Sequence, residues 1–373
     1  MATFAFSLCF LSFLFLFVHS SSSPYLLSPS TFSQNYNNML TSFKIFIYTP
    51  PQPITFSPPS SIFYNFLINS QFITQDPNKA HLFFIPFAPN TTTRSIARLV
   101  RDLRTKYPYW NPTLGADHFF ISPQGIDFFS DRNALELKKN SIQISVFPTI
   151  SGKFIPHKDI SLPPVIPSSL TRAHAPMKEK SSSSLEISHA RVNSSLLELS
   201  HAPVKSDQSF LGYLKWDGKT ELDFVNELKL DSDFIVESEP SDHIVRRVNR
   251  SSKFCLFLYN AADVALTITE AMSSGCVPVV IVDRPIQDLP LTDVLRWSEM
   301  AMLIGNRRGV KGLKDVLRGV HVDRYEKMRG LCVAAAHHMA WNAEPQAYDA
   351  FYMVMYQLWM RRHTIRYTRR QDF

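Results

Sequence analysis

The chain has 373 residues, 45% of them hydrophobic, and a net charge of +7, which is enough apolar sequence for two domains of ordinary size. The charge is uneven, because no Lys, Arg, Asp or Glu precedes Lys44 and Arg361–Asp372 holds about half of the excess. Basic and aromatic residues do not interleave and no zinc-finger spacing occurs, which argues against a nucleic-acid binder.

The N-terminus begins with an apolar run, Phe4–Val18. It is shorter than the ~20 residues of a membrane span and typical of a signal-peptide core. Residues 1–22 are therefore predicted to be a cleaved signal peptide or a signal-anchor, and either one places the rest of the chain in the secretory lumen. Glycosylation sequons at Asn90, Asn193 and Asn249 agree with that compartment. Residues 23–42 are uncharged and rich in Ser, Asn and Pro, which predicts a stem or linker.

Residues 43–165 alternate between strand and helix patterns, which predicts a first α/β domain with a parallel sheet. The predicted strands are Phe43–Tyr48, Ala80–Pro86, Asp117–Ile121 and Ile142–Phe147. The predicted helices are Ile62–Ile68, a segment that starts at Pro77, and the amphipathic Thr93–Tyr107.

Residues 166–208 are Ser-rich, and Leu185–Ala190 recurs in similar form as Leu197–Ala202. Two copies are too few for a solenoid, so a low-complexity insertion between domains is predicted. Its histidines have no partner ligands nearby in the sequence, and no metal site is predicted there.

Residues 209–373 predict a second α/β domain followed by a basic tail, most often a solvated or phosphate-attracting end. The domain starts at Phe210–Leu214, and its predicted strands are Asp233–Val236, Phe254–Leu258, Val277–Val282 and Met300–Ile304. Its predicted helices include Thr220–Lys229, Asp293–Trp297, Val310–Arg318, Asp323–His338 and Gln346–Arg362. The cysteines Cys255, Cys276 and Cys332 allow at most one disulfide among them, with buried free thiols as the alternative.

The most informative stretch is Ser251–Asp283, which has the pattern strand, loop, helix, Gly, strand. This is a βαβ unit, and ligands of parallel sheets bind at the carboxyl ends of the strands. Glu270 is a single carboxylate on an otherwise nearly apolar helix. A carboxylate at this position could bind the hydroxyls of a ribose or a sugar. The alternative interpretation is that Glu270 is an ordinary solvated residue of the helix.

Several motifs, taken together, resemble the plant exostosin-like glycosyltransferases of glycosyltransferase family 47. They include FKIFIYTPP, TQDPNKAHLFFIPF and YPYWNPTLGADHFFIS in the first domain, and SSKFCLFL, EAMSSGCVPVVIVD and LPLTDVLRWSEM in the second. The resemblance implies a GT-B fold, that is, two Rossmann-like domains with a cleft between them. It also implies inverting transfer of a sugar from a nucleotide-sugar to a cell-wall polysaccharide or glycoprotein, without a cofactor or an obligate metal. Members are usually single-pass type II proteins of the Golgi membrane.

The chain departs from the family at its donor-site pattern, Leu-Pro-Gly-x-x-x-x-Ser-Pro-Arg-x-x-Glu-Ala, which falls on Leu258–Ala271. Tyr259 and Asn260 stand at the Pro and Gly positions, and Thr267 stands at the Arg position. Glu270 matches. An Arg at the diphosphate would stabilise the leaving group, whereas Thr267 offers only a hydroxyl. The nucleotide-sugar-binding residues predicted from the resemblance are Glu270, Thr267, Asn260 and Gly275.

A base must take the proton of the acceptor hydroxyl in an inverting transfer. Asp117 and His118, at one end of a predicted strand of the first domain, are the candidate catalytic residues. A purely structural hydrogen-bonded pair is the alternative.

Three hypotheses follow. The first is a Golgi glycosyltransferase that uses a UDP-sugar and a glycan acceptor. The second is a non-catalytic relative with a degenerate donor site that serves as a subunit of a synthase complex. The third is a secreted carbohydrate-binding protein released by signal cleavage.

Overall fold

A computed structural model describes residues 24–50, 53–129, 131–149, 152–165, 210–216, 223–238, 251–259, 264–282, 285–305 and 309–369. The N-terminal apolar run and the Ser-rich segment 166–208 lie outside these residues. Within the part of the chain that is described, no helix is long and apolar enough to cross a membrane.

The first domain contains a five-stranded parallel sheet in the order β1-β2-β3-β4-β5. Its strands are β1 Ile45–Ile47, β2 Leu82–Phe84, β3 His118–Ile121, β4 Ile142–Val146 and β5 Ile160–Leu162. The helices of this part of the chain are α1 Pro29–Ser42, α2 Ser60–Ile68, α3 Thr93–Lys106 and α4 Arg132–Asn140.

The second domain contains a parallel sheet in the order β10-β9-β8-β6-β7. Its strands are β6 Phe210–Trp216, β7 Phe234–Ser238, β8 Ser252–Leu258, β9 Val277–Ile281 and β10 Met302–Ile304. Its helices are α5 Asp223–Leu230, α6 Val264–Ser274, α7 Gly309–Arg318, α8 Val322–Ala336 and α9 Ala350–Arg369. The two parallel sheets confirm the predicted α/β class.

Most predicted elements are present because their apolar patterns are strong. In α3, Ile96, Val100 and Leu103 are buried on one face, and the Thr92 side chain caps the helix by accepting from the Ser95 amide. Weaker patterns gave errors. Pro77–Lys79 is only a short 3-10 turn, and the predicted helix Asp293–Trp297 does not form, although a 3-10 turn follows at Trp297–Glu299. The mostly polar α4 and the three-residue β5 were not predicted.

The predicted linker at residues 23–42 is wrong for Pro29–Ser42, which forms α1. Phe32, Tyr36 and Met39 recur at helical spacing and are buried. The Tyr36 ring stacks on Tyr348 at 4.2 Å, and its hydroxyl accepts a hydrogen bond from the Tyr348 amide at 2.9 Å. The uncharged, Ser- and Asn-rich composition concealed this apolar face.

Helix α9 returns from the second domain to the first, so the predicted boundary at residue 209 does not separate two independent units. The Arg361 guanidinium donates to the backbone carbonyls of Lys158 at 2.6 Å and Asp159 at 2.8 Å, next to β5. It also pairs with Asp293 at 2.7 Å. Arg361 and Arg362 are buried, so the prediction of a solvated basic tail is wrong for these two residues.

One disulfide is present among the described residues, between Cys255 in β8 and Cys276 just before β9. It joins adjacent parallel strands of the second sheet. Cys332 is free and buried, its thiol donates to the Met300 carbonyl at 3.0 Å, and burial raises the pKa of the thiol. The open choice among three cysteines is thereby resolved.

Replacing Cys255 and Cys276 with Ala is expected to lower the free energy of unfolding by about 3 kcal/mol, because the bond closes a loop between cysteines 21 positions apart. Urea denaturation with and without reductant measures the effect. Wild type and the control Cys332→Ala should lose stability when reductant is added, and the double variant should not. A wild type that is insensitive to reductant would contradict the pairing.

His338 lies buried where the N-terminal segment meets the end of α8. Its Nδ1 donates to the Tyr348 carbonyl at 2.8 Å, so its Nε2, 3.3 Å from the Tyr25 hydroxyl, is an acceptor. Burial is the main cause that lowers the pKa of His338 from 6.5 to about 4. The imidazole is therefore neutral at pH 7.

Acid is expected to destabilise the fold through His338. Between pH 6.5 and about 4 the unfolded chain binds a proton that the folded chain does not. Stability is therefore lost as pH falls through this window, by up to about 3 kcal/mol. Chemical denaturation at a series of pH values should show a smaller loss for His338→Gln than for wild type. The neighbouring His337→Gln should lose as much unfolding free energy as wild type. If the unfolding free energy falls equally with pH in all three proteins, His338 is not the cause of the acid sensitivity.

Candidate active site

The carboxyl ends of the two sheets meet at the domain junction. Thr149 follows β4 and Tyr259 follows β8, and both bind the carboxylate of Asp288, in the segment after β9. Asp288 accepts hydrogen bonds from the Thr149 amide and hydroxyl, each at 2.7 Å, and from the Tyr259 hydroxyl. Ligands of parallel α/β domains bind at carboxyl edges, so the candidate site lies at this junction.

The predicted βαβ unit is confirmed as β8, α6 and β9. Gly275 ends α6 with a φ of +75°, which side chains other than glycine rarely adopt. A Cβ there would also lie 3.2 Å from Nε of Arg329. This geometry gives Gly275 a turn role, and its predicted contact with a nucleotide-sugar stays a prediction.

Glu270 lies on α6 and is half-buried. The hydroxyls of Ser273 and Ser274 donate to its backbone carbonyl at 2.8 Å, which helps to end the helix. Its carboxylate is close enough to Tyr213 in β6 to contribute to the raised pKa of that phenol. Because it is half-buried, Glu270 differs from a fully solvated helix residue.

Two polar residues that were not predicted accompany Glu270. The hydroxyl of Tyr213 and Oε2 of Glu237 are buried, and the two side chains interact with each other, since Glu237 helps to raise the pKa of Tyr213 through its charge and a hydrogen bond. Burial is the largest cause of the raised Tyr213 pKa, followed by the charges of Glu237 and Glu270. Glu237 lies directly after the predicted strand Asp233–Val236, and that strand-end position was the available signal.

The other two predicted donor residues are only partly placed. Asn260 lies outside the described residues. Thr267 belongs to α6, but its side chain is not described. Their contacts with a nucleotide-sugar therefore stay predictions from the resemblance.

The Asp117 and His118 pair lies at the amino end of β3, on the edge of the sheet opposite the domain junction. His118 is 0% exposed. Its Nδ1 is 2.8 Å from Asp117 Oδ1, and its Nε2 is 2.9 Å from the Tyr48 hydroxyl. The ring also packs on Phe83 and Trp110. The predicted catalytic role of this pair stays a prediction. The geometry favours the structural alternative.

Within the described ranges, no group of three or more His, Cys, Asp or Glu side chains could hold a metal ion. The absence of an obligate metal remains a prediction.

Fold and site together define a two-domain α/β protein with its candidate ligand site where the carboxyl edges of two parallel sheets meet. The model of the Exostosin GT47 domain matches residues 39–320. The chain belongs to this family, and it is a glycosyltransferase by family.

Two plant relatives agree with the family. "Probable glycosyltransferase At3g07620" of Arabidopsis thaliana is 26% identical over 366 residues, covering 91% of this chain and 73% of the relative. "Probable glucuronosyltransferase Os02g0520750" of Oryza sativa subsp. japonica is 23% identical over 317 residues, covering 78% and 69%.

A solved structure, WaaG, described as a glycosyltransferase involved in lipopolysaccharide biosynthesis, was also found. It has a TM-score of 0.28 at 11% identity and covers 79% of this chain and 95% of WaaG. A superposition of that quality does not define a shared fold.

The structural role of His118 predicts the behaviour of its variants. His118→Gln should lower the free energy of unfolding by about 1–3 kcal/mol, because it leaves buried partners unpaired. The folded fraction should keep transferase activity within about tenfold of wild type. The same protein samples would be compared by denaturation and by initial rates per folded molecule. A loss of ~10²–10⁴-fold at unchanged folded fraction would instead restore the pair as catalytic.

Proposed function

We propose that this chain transfers a sugar from a UDP-sugar to a cell-wall polysaccharide or a glycoprotein glycan, with inversion at the anomeric carbon, on a GT-B-type scaffold. The observation that carries the proposal is the position of Glu270 on α6, within the βαβ unit whose strands β8 and β9 end at the domain junction. A carboxylate accepts hydrogen bonds from hydroxyls, and a ribose or a sugar presents them.

The chemistry is a single displacement. The acceptor oxygen bonds to the anomeric carbon from the face opposite the diphosphate, a base takes the acceptor proton, and the nucleoside diphosphate leaves with the bonding electrons. Glu270 would orient the donor through its hydroxyls. The hydroxyl of Thr267 would face the diphosphate where the family has Arg, and the loss of such a charge can cost ~10²–10³ in rate. We therefore expect slow transfer.

We place the protein in the secretory pathway, as a lumenal domain at the Golgi membrane. The buried disulfide between Cys255 and Cys276 suits an oxidising compartment. Asn90 is exposed just before α3, where its sequon is open to glycosylation. The apolar run Phe4–Val18 supplies the signal or anchor, and a secreted form after cleavage is the alternative.

A non-catalytic subunit of a synthase complex is the second candidate function. The observation that favours it is Tyr259, which stands at the family's Pro position and has its hydroxyl engaged by Asp288. A residue committed to a contact within the protein is not available to a donor sugar.

Nucleotide binding separates the two functions. Calorimetry of wild type with a panel of UDP-sugars should show binding, and Glu270→Gln should weaken UDP binding at least ~10-fold, because a charged acceptor is lost. The exposed Glu344→Gln, in the segment before α9, is the matched control. Thr267→Arg should strengthen UDP binding. A folded wild type that binds no UDP-sugar would contradict the transferase proposal and favour the non-catalytic subunit.

A further inference from the structure

The contact between the two sheets is built around one buried carboxylate. We propose that Asp288 is a positioning residue that fixes the carboxyl edges of the two sheets relative to each other, and that Tyr259 serves this bridge and not the donor. Thr149, Tyr259 and Asp288 together form this junction bridge. Its effect on transfer rests on the proposed function.

The junction bridge is chemically complete. An ionised carboxylate only accepts hydrogen bonds, and all three groups that reach Asp288 are donors. The amide and hydroxyl of Thr149 donate to Oδ2, each at 2.7 Å, and the Tyr259 hydroxyl donates to Oδ1. Hydrogen bonds to a charged acceptor are roughly twice as strong as neutral ones. Both carboxylate oxygens are engaged, so Asp288 holds both of its neighbours at once.

The junction bridge is also buried. Thr149, Tyr259 and Asp288 are 7%, 6% and 3% exposed. The Phe147 ring meets the Tyr259 ring edge-on, with centroids 6.3 Å apart. Tyr259 and Phe147 belong to one hydrophobic core that includes residues of both sheets. Water cannot replace a lost partner there, so a broken contact leaves a buried carboxylate under-satisfied.

The junction bridge explains a departure of the chain from its family pattern. Tyr259 stands where the pattern has Pro, and Pro has neither a side-chain hydroxyl nor a backbone N–H. The Tyr259 amide donates to the Ile281 carbonyl at 3.2 Å, which continues the pairing of β8 with β9. Tyr259 thus adds two hydrogen bonds that Pro cannot make. The geometry therefore indicates that Tyr, in place of Pro at position 259, serves to hold the two domains together.

Domain coupling matters for a two-substrate reaction. Thr149 extends from the first sheet and Tyr259 from the second, so the junction bridge sets the spacing of the two edges on which donor and acceptor would lie. A misplacement of about 1 Å between reacting groups can cost ~10²-fold in rate. Loosening the bridge should therefore reduce turnover more than nucleotide affinity, because the nucleotide is held by the second domain.

The test compares Tyr259→Phe, Thr149→Val and Asp288→Asn with wild type. Tyr259→Phe and Thr149→Val each remove one hydroxyl and keep the shape of the side chain, so they remain informative if Asp288→Asn does not fold. The matched control is Tyr36→Phe, which also removes a buried hydroxyl with a hydrogen bond, but between α1 and Tyr348, away from the junction bridge.

Hydrogen exchange at the Thr149 amide, kcat, and the Kd for UDP are measured for each protein. The junction-bridge variants should exchange at Thr149 several-fold faster, and kcat should fall about tenfold while the Kd for UDP changes less than about threefold. Tyr36→Phe should match wild type in all three. Exchange and kcat in the bridge variants equal to those of Tyr36→Phe would overturn the proposal. A wild type that binds no UDP would refute the proposed function, whereas unchanged Thr149 exchange in all variants would refute the bridge alone.

Discussion

The packing of α9 against the first domain is the contact on which the two-domain arrangement depends. The helix is the last element of the second domain, yet Phe351, Val354 and Leu358 are fully buried in the core that includes residues of both sheets. Arg361 then binds two backbone carbonyls next to β5. Because a buried guanidinium is tolerated only when its N–H groups are satisfied, this end of the helix is tied to one place. An interface that is large and hydrophobic restricts domain motion.

The candidate site is a consequence of that packing. With the sheets held together, the ends of β4 and β8 come close enough for Asp288 to bind residues after both. The site then contains two kinds of buried carboxylate. Asp288 has donors on both oxygens and holds the two sheets together, whereas the Glu237 carboxylate lies in a group with the Tyr213 hydroxyl and Glu270.

Prediction from the sequence succeeded where burial follows from local pattern. The apolar runs Phe254–Leu258 and Val277–Val282 could only be interior strands, and the Gly between them had to end the helix. It failed where the role of a residue depends on a distant partner. Arg361 was predicted to be solvated because its partners, the carbonyls of Lys158 and Asp159, are about two hundred positions away in the sequence. Helix α1 looked like a linker because its few apolar residues find their partners on α9.

The sequence by itself determined the α/β class, the βαβ unit around Glu270 and the family, because strand periodicity and motif order are local properties of the chain. It could not identify the distant side chains that surround a residue, because those contacts form only when the chain folds. Only the tertiary structure decided that His118 is buried among aromatic rings. The tertiary structure also decided the role of Tyr259, which stands where the family pattern has Pro. Its hydroxyl joins the second sheet to the first through the carboxylate of Asp288.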